Sequence, residues 1–161
     1  MAENLILPQT SQRADIYEAL IPQIVALLAP ETDRVANLAN LAAAIKQAFG
    51  FFWVGSYLSN GSELVLNAFQ GPIACTRIAF SRGVCGHSFS TNATVLVPDV
   101  ELFPGHIACS SASKSEIVLI IKDKINSPIG VFDIDSDKLD DFSDLDQKYL
   151  EILLDNIKIY L

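Results

Sequence analysis

All three cysteines and both histidines of the chain fall between Cys75 and Asp135, together with carboxylates set into otherwise apolar sequence. That combination reads as a redox site. Cys75, Cys85 and Cys109 each lie beside Gly, Ala or Ser, at strand ends, helix starts or loops, whereas packing cysteines sit inside apolar strands. A thiol at a helix start, as Cys85 is placed, can have its pKa lowered and become a thiolate. Three is an odd number, so one intramolecular disulfide at most forms at a time and one thiol is left over.

The carboxylates carry as much information. In Val131-Phe132-Asp133-Ile134-Asp135 the side chains alternate, so Asp133 and Asp135 look the same way. Two carboxylates on one side repel unless a cation or a shared proton relieves them. Glu116, heading an apolar strand directly after the Cys109 loop, is a third member of the set. Trp53 and Tyr57, on one face of another strand, offer an aromatic wall, although core packing explains them nearly as well. Asp137, Asp140 and Asp141 are expected in solvent.

Two other chemistries use the same residue types. Cys85-Gly86-His87 and His106 with Cys109 offer sulfur and nitrogen to zinc, but the chain has no Cys-x-x-Cys pair. A cysteine hydrolase needs an oriented histidine beside its nucleophile, and His106 serves Cys109 only if the loop folds back on itself. The bland reading makes both histidines ordinary polar residues on loops.

The elements around these residues follow from periodicity. Apolar positions Ile16, Leu20, Ile24, Leu27 and Leu28 predict a helix from Ser11, kinked or restarted at Pro22. Residues 1–10 precede it as a tail, and 11–161 form the domain. A second helix over Thr32–Phe49 turns Val35, Leu38, Ala42, Ile45 and Phe49 inward and stops at Gly50. The period then becomes two. Strands over Phe51–Leu58 and Glu63–Phe69 flank an Asn60-Gly61 turn, with Phe51, Trp53 and Tyr57 on one face and Phe52, Val54 and Leu58 on the other.

A short strand Thr76–Phe80, a short helix Gly83–Thr91 and a strand Thr94–Pro98 come next, followed by a long loop over 99–115 that carries Cys109. Glu116–Lys122 reads as a strand covered on both faces, and Pro128–Asp135 as the last strand, with Ile129 on the side of the aspartates. A final helix, Asp144–Tyr160, opens on Ser143 and Asp146 in capping-box spacing and buries Leu145, Tyr149, Ile152, Leu153 and Ile157. The sum is an α+β domain with a largely antiparallel sheet. Terminal helices cover one face, and the loop and short helix close a pocket on the other.

With 161 residues, half of them apolar, one domain can bury a core without staples. A net charge of −8 argues against nucleic acid and anionic membrane as partners. The richest apolar runs, Ile24–Ala29 and Ile117–Ile121, are far below the ~18 residues of a span. The start, Met1-Ala2-Glu3-Asn4, lacks a secretory pattern, and the odd thiol count suits a reducing compartment, so a cytoplasmic location is expected.

Over about Phe52 to Leu154 the chain resembles the free methionine-(R)-sulfoxide reductases, a catalytic branch of the GAF-domain fold. The resemblance rests on Trp-Val-Gly-x-Tyr-Leu at 53–58, Phe-Gln-Gly-Pro-x-Ala-Cys-x-Arg-Ile at 69–78 and Arg-Gly-Val-Cys-Gly at 82–86. Pro-Asp-Val from 98, Phe-Pro-Gly-His-Ile-Ala-Cys ending at 109, Ser-Glu-Ile-Val at 115–118 and Asp-Ile-Asp-Ser at 133–136 complete it. His87-Ser88-Phe89 and Ser110-Ser111 depart from the family pattern without removing a functional position.

The resemblance implies that Cys109 attacks the sulfoxide sulfur and becomes a sulfenic acid. It further implies that Cys75 resolves it as a disulfide, with Cys85 as secondary or alternative partner, and that thioredoxin is the reductant. Trp53, Tyr57, Glu116, Asp133 and Asp135 would surround the substrate, and no cofactor or metal would be needed. The alternative is a non-catalytic GAF module that binds a small ligand or senses redox state. A homodimer through the terminal helices is compatible with either.

Overall fold

A computed structural model describes residues 4–106 and 110–161, and Cys109 therefore lies outside the described residues. Its centre is a six-stranded sheet in the order β3-β2-β1-β6-β5-β4, with every neighbouring pair antiparallel. The strands are β1 (Trp53–Ser59), β2 (Glu63–Gln70), β3 (Arg77–Ala79), β4 (Val95–Val97), β5 (Ser115–Lys122) and β6 (Pro128–Ser136). Helices α1 (Arg13–Leu28), α2 (Arg34–Phe49) and α4 (Asp144–Ile157) pack on one face, and α3 (Gly83–Thr91) lies on the other. No described helix is long and apolar enough to cross a membrane.

Alternation along the central strands splits the interior in two. Val54, Ile117, Leu119, Ile121, Phe132 and Ile134 point at the helices, with Leu20, Ile24, Leu41, Ile45, Leu150 and Leu153 against them. Trp53, Tyr57, Val118, Ile120 and Val131 point the opposite way, towards Val84 and Cys85 of α3. Burying both faces of β5 accounts for its unbroken apolar run.

Local signals set the element ends. Asp33 caps α2 by accepting from Ala36 N at 2.9 Å, and Gly50, at φ +70°, ends it. Asp146 Oδ2 accepts from Ser143 N at 2.9 Å in the expected capping box of α4.

Several expectations are corrected. The first helix runs through Pro22 without restarting, and Tyr17 rather than Ile16 is buried, its hydroxyl donating to Asp146 Oδ1 at 3.0 Å. Val35, Leu145 and Ile152 are exposed, because α2 and α4 turn Asn37, Leu38 and Leu41, and Leu150, Leu153 and Leu154, inward instead.

Phe51 and Phe52 are swapped between faces: Phe51 joins the helical core and Phe52 the pocket side. Both precede β1, so strand alternation does not yet apply to them. Ile129 faces the helices, since a register shift in β5–β6 pairing falls between Ile121 and Lys122 and moves it off the aspartates' face. Asp141 is only partly exposed and pairs with Arg13 at 2.7 Å.

Candidate active site

Strand pairing assembles the site row by row. Trp53 on β1 stands opposite Asp135 on β6, which stands opposite Glu116 on β5. In the next row Gly55 stands opposite Asp133, and Asp133 opposite Val118. One sheet face thus gathers an indole and three carboxylates within two rungs. Gly55 must be glycine here, because a Cβ would lie 2.4 Å from the Trp53 ring. Trp53 stacks between Tyr57, with ring centroids 5.9 Å apart, and Phe69 at 5.4 Å.

The face is roofed by α3 and the flanking loops, leaving a cavity of about 600 Å³ including its mouth. Trp53, Tyr57, Cys85, Glu116, Asp133 and Asp135 line it. His106 and Ser110, the described residues on either side of 107–109, line it too, as does Ala74 next to Cys75. Of the residues singled out in the sequence, Cys75 is half-buried beside this wall and disulfide-bonded. Cys85 is a free, buried thiol.

Electrostatics keep protons on this face. Burial, then the charges of Asp133 and Asp135, push the Glu116 carboxyl well above the ordinary carboxylate range. Asp133 is pushed up by its own burial and by Asp135. Asp135 rises less, to about 6, because burial is opposed by the hydrogen bond it accepts from Ser113 Oγ. Asp133 Oδ1 has no hydrogen-bond partner among the described residues.

Cys85 corrects a further expectation. It sits in the first turn of α3, yet burial and then Asp133, Glu116 and Asp135 push its thiol well above its usual pKa. Desolvation beside three acids outweighs the helix terminus, so the thiol stays protonated. His87 lies within α3 rather than on a loop, exposed and edge-on to Phe103 at 5.7 Å. His106 does lie on a loop, and burial lowers its pKa.

Two contributors went unread in the sequence. Ser113 reaches Asp135 from the end of the loop, a role that a serine in a Ser/Ala-rich stretch gives no sign of. Phe52 joins the wall only because β1 begins one residue after it.

No protein-family model matches the chain. Whole-chain comparisons do. GAF domain-containing protein A of Dictyostelium discoideum is 56% identical over 155 residues, covering 96% of this chain and 97% of that protein. A six-stranded sheet with helices on one face and a lidded pocket on the other, together with that likeness, defines a GAF domain.

Within that class several relatives are named as enzymes. Free methionine-R-sulfoxide reductase of Escherichia coli is 43% identical over 145 residues, covering 88% of this chain and 86% of its own length. The free methionine-R-sulfoxide reductase of Neisseria meningitidis, solved in complex with its substrate, superposes with a TM-score of 0.92 at 48% identity, covering 98% of this chain and 95% of that one. The chain belongs to the free methionine-R-sulfoxide reductase family.

Proposed function

We propose that this protein reduces free L-methionine-(R)-sulfoxide to L-methionine at the cavity bounded by Trp53, Glu116, Asp133 and Asp135. The observation that carries the reading is the trio of crowded carboxylates around an unpartnered oxygen, Asp133 Oδ1, at the base of an aromatic-walled pocket. A free amino acid brings an ammonium to such a place, and a residue inside a peptide does not. The first amides of α3, at Gly83 and Val84 on the cavity wall, suit the substrate carboxylate.

Cys109 attacks the sulfoxide sulfur. The S–O oxygen is protonated by a carboxylic acid that its neighbours keep neutral, and Glu116 or Asp133 fits that task. Methionine leaves as Cys109 becomes a sulfenic acid, and the oxygen has passed from substrate to enzyme. Cys75 then displaces it as water, closing a disulfide, and a thioredoxin dithiol returns both cysteines to thiols. Cys85 is the secondary partner in that closure. Thioredoxin recycling suits the cytoplasm, where we place the protein.

Trapping tests the thiol steps. A Cys75→Ser/Cys85→Ser double variant should complete one turnover per chain and accumulate a sulfenic acid that a cyclic-dione probe labels at Cys109, while Cys109→Ser should release no methionine. Equal activity in wild type and Cys109→Ser would defeat the assignment. A non-catalytic ligand-binding module would instead bind substrate with no thiol consumed.

A further inference from the structure

Cys85 Sγ, one oxygen of Glu116 and one of Asp133 all lie within 4.8 Å of one another, and all three side chains are buried. They come from three separate elements, α3, β5 and β6, so no single turn or loop brings them together. Asp133 is only 6% exposed, lines the cavity, and its Oδ1 lacks a partner among the described residues. The Asp133 carboxyl shares hydrogen bonds with Cys85 and Glu116, and a cation that took the place of their protons would also reach Oδ1, a buried oxygen otherwise left without a partner. The described residues lining the cavity include no lysine or arginine that might do so.

We propose that Cys85, Glu116 and Asp133 form a binding site for a divalent cation of the zinc class, with its fourth position open to the cavity, and that this cation and the substrate exclude one another. The exclusion rests on the reading of the carboxylates as the ammonium site; the cation site itself does not.

The donor set selects the class of ion. Magnesium and calcium take six or more oxygens, whereas one sulfur and two carboxylates with an open position suit zinc or cadmium. Tetrahedral zinc, with sulfur at ~2.3 Å and oxygen at ~2.0 Å, sets sulfur and oxygen about 3.5 Å apart. Cys85 Sγ and Glu116 Oε1 stand 4.0 Å apart, so a small rotamer adjustment closes the site. Cys85 and the protonated carboxyl release their protons to solvent as the cation binds, and no electron is transferred.

The oxidised protein isolates this site, because Cys75 is then disulfide-bonded and Cys85 is a free thiol. Titrated with Co²⁺ as a spectroscopic stand-in for zinc, it should bind one ion per chain with a thiolate-to-cobalt charge-transfer band, and Zn²⁺ should displace that ion. Cys85→Ser should lose the band. Asp133→Asn, which keeps the side-chain shape, should bind at least tenfold more weakly, with circular dichroism confirming that both variants fold. Free L-methionine-(R)-sulfoxide should weaken Co²⁺ binding at least threefold more than the S epimer, which sequesters the metal equally in solution.

Absence of saturable binding, or an unchanged band in Cys85→Ser, would overturn the site. A Cys85-dependent band that both epimers weaken equally would overturn the exclusion alone. The same band in a protein that turns over no sulfoxide would instead remove the proposed reaction and keep the site.

Discussion

Glu116 stands directly opposite Asp135 across the β5–β6 ladder, with Asp133 on the same sheet face two rungs away. Like charges placed directly opposite on a ladder are destabilising, and burial compounds the cost. The sheet tolerates them because the more buried members hold protons, which is also what an acid catalyst needs. Stability is lowered and reactivity raised by one arrangement.

A stability reversal follows. These carboxyls have raised folded-state pKa values, so the folded chain binds more protons than the unfolded one between the two values, and stability falls as pH rises through that window. For Asp135 the window runs from 3.8 to about 6. Asp133→Asn should therefore unfold later than wild type at pH 8, by about 1 kcal/mol or ~4 °C, and lose activity. Thermal melts at pH 4 and pH 8 check the sign: the gain should shrink at pH 4, and a variant less stable than wild type at pH 8 would contradict it.

Turnover should depend on pH in a matching way. The proton donor is lost as pH climbs through the raised values of Glu116 and Asp133, so kcat should decline on the alkaline side. Glu116→Gln should reduce kcat at least a hundredfold. Single-turnover methionine release across pH 5–9 measures both.

Trp53 is both wall and tether. Its Nε1 donates to Pro72 O at 3.1 Å, holding the loop that leads into Cys75. Trp53→Phe keeps an aromatic face but drops that bond, and should cost about 1 kcal/mol in urea unfolding. Substrate KM should rise severalfold, and disulfide closure, followed by loss of free thiols, should slow.

Arg13 anchors the rear of the sheet. It pairs with Asp141 at 2.7 Å and with buried Asp146 at 3.0 Å, and its guanidinium lies 5.2 Å from the Phe51 ring centre. Asp141 in turn accepts from Ser136 Oγ at 2.5 Å, next to Asp135. Arg13→Gln leaves Asp146 without its cation and should destabilise by roughly 2 kcal/mol, less than a fully buried pair because Arg13 is 28% exposed. Urea midpoints test it.

Much of the site was legible because strand alternation is a strict rule. Asp133 and Asp135 share a face as period two requires, and Glu116 meets them because β5 pairs with β6. Where alternation had not begun or was interrupted, at Phe51, Phe52 and Ile129, the reading inverted. On α2 and α4 the apolar pattern was broad enough to allow more than one inward face, and packing chose against Val35, Leu145 and Ile152. The protonated state of Cys85 was beyond the sequence, since it depends on acids that only the fold brings near.

The central claim is tested most directly by methionine release from separated R and S sulfoxide epimers, each as free amino acid and as the N-acetyl derivative, with thioredoxin recycling. Turnover of the free R epimer alone is expected on the proposal that Asp133 and its neighbours hold the substrate ammonium. Equal turnover of the N-acetyl derivative, or no turnover of any form while the cysteines remain unconsumed, would contradict it.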